Sequence, residues 1–120
     1  MATITHAEAF FQNSETGHAY DVMTLTWATM GNADTGTAAA VPSYSDKTVH
    51  ITGTFGSATV TIQGSNDNVN WTTLTDIQGT ALAVTADDIS LIAENPLYIR
   101  PITAGGTGTD VDVIISARKK

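Results

Sequence analysis

Histidine, serine and aspartate all occur in this chain, so nucleophilic hydrolysis is the first chemistry to test. His6, His18 and His50 are its only histidines. A catalytic serine needs a sharp, exposed elbow, and no Gly-x-Ser-x-Gly is present; each serine falls in a turn or on a strand-patterned run. His50 alternates with threonines on the polar side of such a run, which reads as a solvent-facing or interface histidine. Asp87 and Asp88 are adjacent, so on a strand they point to opposite faces and cannot share a proton; they read as turn caps. Asp110 and Asp112 lie at i and i+2 and do share a face. With loop carbonyls they could hold a cation, but a solvated acidic strip is the simpler reading.

Metal and phosphate chemistry fare no better. His6-Ala7-Glu8 has no partner histidine at the spacing of a zinc helix. Asn66-Asp67-Asn68-Val69-Asn70 looks like a calcium loop, yet it lacks the sixth-position Gly and twelfth-position Glu; Asn and Asp are ordinary turn formers. Gly105-Gly106-Thr107-Gly108 has no lysine and precedes a strand pattern, so neither nucleotide fingerprint applies. Trp27, Trp71, Tyr44, Tyr98, Phe10 and Phe11 could build a sugar-stacking platform, although core packing accounts for Trp27 at least as well. No catalytic, cofactor-binding or metal-ligating residue is assigned, no cofactor is expected, and the chain is not read as an enzyme.

The elements that would carry these residues are strands. Threonine, β-branched and suited to a half-wet pleated surface, occurs 21 times, while Lys, Arg and Glu are scarce. Met23, Leu25 and Trp27 alternate with polar neighbours. So do Val49, Ile51, Gly53 and Phe55; Ala58, Val60 and Ile62; and Val111, Val113, Ile115 and Ala117. Leu97 to Ile102 is a further strand, and Asn70 to Asp76 is one with a bulge, since Trp71 and Leu74 fall on opposite faces. Thr85 to Asn95 reads as one helical turn or a short strand. Phe55-Gly56-Ser57 predicts a tight hairpin, and the glycines of Ala104 to Thr109 predict another. The pattern predicts an all-β fold, an antiparallel β-sandwich or barrel. Residues 1–20 are expected as an extended N-terminal arm, 21–117 as a single β domain, and 118–120 as a basic tail. A long aperiodic loop is expected at about 30–46.

Composition narrows the partners. Twelve Asp and Glu oppose five Lys and Arg, for a net charge of −7; three of the five bases are Arg118, Lys119 and Lys120. Such a surface repels phosphate backbones and anionic membranes, so neither nucleic acid nor membrane is expected. The absence of cysteine excludes a disulfide scaffold and a thiol nucleophile. No stretch reaches the ~20 apolar residues of a membrane span, and Met1 to Phe11 does not read as a secretory signal, which predicts synthesis in a cytoplasm. Low charge on a β domain points to a surface covered by neighbours. Phe10, Phe11, Tyr44, Arg100, Arg118, Lys119 and Lys120 are the candidate partner-contact residues.

From Thr52 to Leu74 (Thr52-Gly53-Thr54-Phe55-Gly56-Ser57-Ala58, then Gly64-Ser65-Asn66-Asp67-Asn68-Val69-Asn70-Trp71), the chain resembles small structural proteins of tailed bacteriophages. Tyr98-Ile99-Arg100-Pro101, the Gly105-to-Asp110 loop and the final Val/Ile strand continue the resemblance, which spans about Val49 to Ser116. The Gly-Ser-Asn-Asp-x-x-Asn-Trp-x-x-Leu stretch also occurs in discoidin-like binding modules. The resemblance implies a head decoration (cement) protein: a β-sandwich, often homotrimeric, on the capsid exterior of the virion, clamping neighbouring major capsid protein subunits. It carries over no catalytic residue, and the first 48 residues lie outside it. The alternative is a tail or fibre β module that binds a glycan or host receptor.

Overall fold

The computed structural model describes residues 2–11 and 22–119, apart from the side chain of Phe11. The described residues contain strands and no helix, as the residue pattern predicts. In chain order the strands are β1 (Thr3–Ile4), β2 (Ala7–Phe11), β3 (Val22–Met30), β4 (Thr35–Gly36), β5 (Ala39–Ala40), β6 (Asp46–Thr54), β7 (Thr59–Ser65), β8 (Thr72–Thr73), β9 (Ala83–Val84), β10 (Asp88–Ile92), β11 (Tyr98–Ala104) and β12 (Asp110–Arg118). They form two sheets. A five-stranded sheet has the order β10-β6-β12-β3-β2. A seven-stranded sheet has the order β1-β4-β11-β7-β8, with β5 also on β11 and β9 also on β7.

The pairing is nested. β7 pairs with β8 and β9, β6 with β10, β4 and β5 with β11, and β3 with β12, all antiparallel. This is one long hairpin rolled over so that its arms fall alternately in the two sheets, the arrangement of a jelly-roll sandwich. The core lies between the sheets. Met23, Leu25 and Trp27 of β3, Val49 and Ile51 of β6, Val60 and Ile62 of β7, Ile99 of β11, and Val111, Val113 and Ile115 of β12 are all almost fully buried. Period-two alternation puts them on one face of each strand, and their transfer from water is the main stabilising term.

Several expectations need correction. The Phe55-Gly56-Ser57 turn is tight, with the Ala58 amide donating to the Phe55 carbonyl at 2.9 Å. It is nevertheless an arch and not a hairpin, because β6 and β7 lie in different sheets. The glycine loop between β11 and β12 also changes sheets. The two arches stand against each other: Thr107 N–H donates to the Gly56 carbonyl at 2.9 Å, and Thr109 Oγ1 donates to the Phe55 carbonyl at 2.8 Å. Within the segment expected as an N-terminal arm at 1–20, Thr3–Ile4 and Ala7–Phe11 are strands. β1 runs parallel to β4, and β2 pairs antiparallel with β3 at the edge of the five-stranded sheet; residues 12–20 lie outside the described residues.

The loop expected at 30–46 contains β4 and β5, which are too short to show a period. Asp34, nearly buried, ties this segment to the N-terminus by accepting from the amides of Gly31 (2.7 Å) and Ala2 (3.0 Å). The expected strand at Asn70–Asp76 is reduced to β8 and a bridge between Thr75 and Ala81. Of the two readings for Thr85–Asn95, the strand is correct.

The arch contact predicts a contrast between two glycines. A Cβ at Gly56 (φ +57°) would lie 2.1 Å from the Thr107 carbonyl oxygen, whereas at Gly105 (φ +72°) it would meet nothing within 4 Å. Both alanine variants carry the strain of positive φ, but only Gly56→Ala must push the arches apart. It should lower the unfolding free energy by about 1–3 kcal/mol more than Gly105→Ala does, read by denaturant titration. Equal losses would mean that the arches do not constrain each other.

Candidate functional site

The outer face of the five-stranded sheet is the surface on which the strand pattern converges. The register places Ile89, His50, Ile114, Thr26 and Ala7 in one cross-strand row, and Leu91, Thr48, Ser116, Thr24 and Ala9 in the next outward-facing row. Neither row contains an Asp, Glu, Lys or Arg, although the chain has a net charge of −7. Ile89 and Leu91 are 64% and 46% exposed. Charge returns at the borders: Asp112 beyond the first row, and Asp46 and Arg118 beyond the second. Five strands ~4.8 Å apart and two rows ~7 Å apart make an uncharged patch with a footprint of roughly 300 Å², in which Ile89, Ile114, Ala7, Leu91 and Ala9 are apolar and the His, Thr and Ser positions are polar but uncharged. Sequence reasoning missed Ile89, Leu91 and Ile114, although the alternation of Ile89 and Leu91 with Asp88 and Ser90 was visible.

The expected contact residues do not form one surface: Phe10, Phe11, Arg118 and Lys119 belong to one end of the five-stranded sheet, and Arg100 to the other sheet. Phe10, 46% exposed, is on the edge strand β2, opposite Met23. Phe11 pairs with Val22 through its backbone. Tyr44 corrects its expectation: it belongs to the core, because β5 and the segment after it fold back over the end of the sandwich. The Lys119 ammonium sits 5.6 Å from the Tyr44 ring. Arg100 is on the outer face of the other sheet, its guanidinium 4.2 Å above the Trp71 ring and its Nε donating to Gln63 Oε1 at 2.9 Å. Arg118 ends β12 and is exposed. Lys120 lies outside the described residues.

The candidate chemical groups have structural partners. Asp112 Oδ1 accepts from the Thr29 amide at 2.9 Å, where β3 bulges against β12. Asp87 Oδ1 accepts from the Gly53 amide at 3.2 Å. Asp67 accepts from the amides of Asn70 and Val69, from Asn70 Nδ2 and from Ser65 Oγ, which hold its carboxyl well below the usual range. The would-be calcium loop is thus closed by its own hydrogen bonds as an Asx turn. Among the described residues, no three His, Asp or Glu side chains are grouped to hold a metal ion. His6 sits against Trp27, the rings 5.5 Å apart, with Nδ1 bonded to Thr37 Oγ1 at 2.7 Å.

Lys47 was not anticipated. It shares the inward parity of Val49 and Ile51 and is almost fully buried. Its Nζ donates to Asn95 Oδ1 at 2.6 Å and to the Tyr44 carbonyl at 3.2 Å. Burial pushes its pKa below the ordinary lysine value, opposed by the nearby Asp46 and Glu94 carboxylates. Burial acts on Glu94 in the upward direction, but hydrogen bonds from Thr75 Oγ1 and Thr75 N, with Lys47 nearby, leave its pKa below the usual value.

The fold thus defines a jelly-roll β-sandwich with an uncharged sheet face. No protein-family model matches the chain, and no curated protein matches it significantly in sequence. Among solved structures, the SPBc2 prophage-derived protein YomS shares the fold, with a TM-score of 0.59 at 16% identity over 80% of this chain and 93% of that one. An RmlC-like cupin protein from Desulfovibrio desulfuricans (TM-score 0.48, 6% identity, 95% of this chain and 82% of that one) and a recombinant oxalate oxidase (0.47, 14%, 95% and 51%) are looser likenesses. At these identities a shared fold carries no chemistry across.

The Lys47 environment sets a pH dependence. With its pKa lower in the folded state, the unfolded chain binds more protons as pH rises from the folded value to the ordinary lysine value, so stability grows across that window. The wild type should therefore gain on Lys47→Met between neutral pH and about pH 10. Denaturant unfolding of both proteins at several pH values checks this, and a constant difference would show that the buried amine titrates normally.

Proposed function

We propose that the chain is a structural component of a phage particle, a head decoration protein that docks on the major capsid protein through the outer face of its five-stranded sheet. The observation that carries this reading is the uncharged patch around Ile89, Leu91 and Ile114 on an otherwise acidic chain. Such a face can be covered without stranding a charge away from water. The fold shared with a prophage-derived protein adds support. So does the phage resemblance of residues 49–116.

The mechanism is mechanical. A stable contact needs on the order of 800 Å² from each partner, more than the patch alone provides. Asp112 at one border and Asp46 and Arg118 at the other form the polar rim, where charge complementarity sets orientation and association rate. A homotrimer would present this face three times, and simultaneous engagement slows detachment from a shell under internal pressure. In this reading the protein does its work on the virion exterior, after synthesis in the host cytoplasm.

The test uses expanded capsids that lack this protein, with binding read by cryo-electron microscopy. Saturable extra density at regular capsid positions is the expected result. The exposed-face double variant Ile89→Glu/Leu91→Glu should lose at least about tenfold in occupancy-derived affinity while melting like the wild type. Bare capsids at saturating wild-type protein would overturn the reading and favour a tail or fibre location. Sedimentation velocity should give three times the chain mass, and a monomer at capsid-binding concentrations would remove the trimer from the proposal.

A further inference from the structure

A cleft of about 390 Å³ opens beside the innermost turn of the rolled hairpin, where β7 turns towards β8, between residues 64–66, 70, 72–74 and 94–96. It is on a different part of the molecule from the uncharged face, and its argument does not depend on the capsid reading. We propose that it binds a neutral polyhydroxylated ligand, a short saccharide, through side-chain amides whose orientation the fold has already set.

Three asparagines line it, and each is pinned by one end. Asn95 Oδ1 accepts from Lys47 Nζ at 2.6 Å. Asn66 Oδ1 accepts from the Leu97 amide at 3.1 Å. In both, the oxygen is the bonded end, which leaves the NH2 group as the remaining donor. Asn70 is held the other way round: its Nδ2 donates to Asp67 Oδ2 at 2.7 Å, which leaves its Oδ1 as an acceptor. Asp67 is itself locked by the loop amides, so the Asn70 anchor is rigid. Thr72 and Thr73 add exposed hydroxyls, and Leu74 and Pro96 provide an apolar wall.

Sugars match this set. Their hydroxyls donate and accept together, so they pair with NH2 groups and amide oxygens alike, and their C–H faces suit Leu74 and Pro96. Pre-pinned amides bind without losing rotamer entropy at the moment of contact. The volume is at the lower end of small-molecule sites, right for one or two sugar rings. Phosphorylated ligands are disfavoured, because the charged side chain lining the cleft is the Glu94 carboxylate, and the Lys47 amine behind it is buried and engaged. Trp71 is next in the chain, but one of its faces is taken by Arg100. Recognition therefore rests on hydrogen bonds more than on stacking.

The test is a titration of the 15N-labelled full-length chain, monitored by amide chemical shifts. The probes are maltose, lactose and chitobiose, alongside a glycan array that includes neutral bacterial surface oligosaccharides. The expected result is saturable shifts confined to residues 64–74 and 94–97 with at least one neutral sugar. Asn95→Asp is the decisive variant: it keeps the oxygen that Lys47 binds but replaces the remaining NH2 donor with an acceptor. It should bind that sugar about tenfold more weakly or worse, with no loss of melting temperature. Thr73→Val, at an exposed position, gives an independent second variant and should also weaken binding. An array flat for neutral sugars, shifts elsewhere on the surface, binding only of anionic glycans, or unchanged affinity in Asn95→Asp would each overturn the proposal.

Discussion

The two arches that lean on each other are the contact on which the rest of the sandwich depends. A jelly roll must carry its chain across the gap between sheets many times, and each crossing leaves backbone polar groups at the rim of the core. Here the rim is closed by Thr107 N–H on the Gly56 carbonyl and Thr109 Oγ1 on the Phe55 carbonyl. That pairing joins the β6–β7 crossing to the β11–β12 crossing, so the spacing of the sheets is fixed at one end by hydrogen bonds and not by side chains alone. An unpaired carbonyl at that depth would cost about 1–3 kcal/mol. Phe55, buried beneath its own arch, seals the end of the apolar layer.

The opposite end of the layer is sealed by chemistry that looks out of place in a core. Lys47 stands in the inward row beside Val49, where its aliphatic stem packs and its ammonium reaches the Tyr44 carbonyl and Asn95. A buried ammonium is tolerable when its donors are satisfied and carboxylates are near. Asp46 and Glu94 supply that field. The lysine also links the end of the core to the cleft, because the amide it holds, Asn95, is one of the cleft's lining groups. Packing and candidate recognition thus share a residue pair.

Two surfaces of different character result from this scaffold. The five-stranded sheet shows an uncharged, threonine- and isoleucine-bearing face. The innermost turn of the hairpin shows a polar concavity with fixed amides, suited to hydroxyl groups. Asp34, Asp67, Asp87 and Asp112 lie outside the two uncharged rows and bind backbone amides. Several carboxylates that looked available for metal or proton chemistry are committed to holding turns and a bulge.

Alternation alone determined much of this protein. The inward positions of β3, β6, β7 and β12 were legible because a pleated strand with one dry face must place apolar side chains at every second residue. The all-β class followed from threonine content and turn residues. Lys47 was legible by the same parity and was missed because its charge outweighed its position. What only the tertiary structure decided was which strand pairs with which. A tight glycine turn serves a hairpin and an arch equally well, so Phe55-Gly56-Ser57 could not reveal that β6 and β7 part company between sheets. That choice comes from contacts between residues far apart in the chain, such as β3 with β12. The burial of Tyr44, the strands hidden in residues 30–46 and the cleft formed from three separate segments follow from the same long-range pairing, for which local sequence carries no signal.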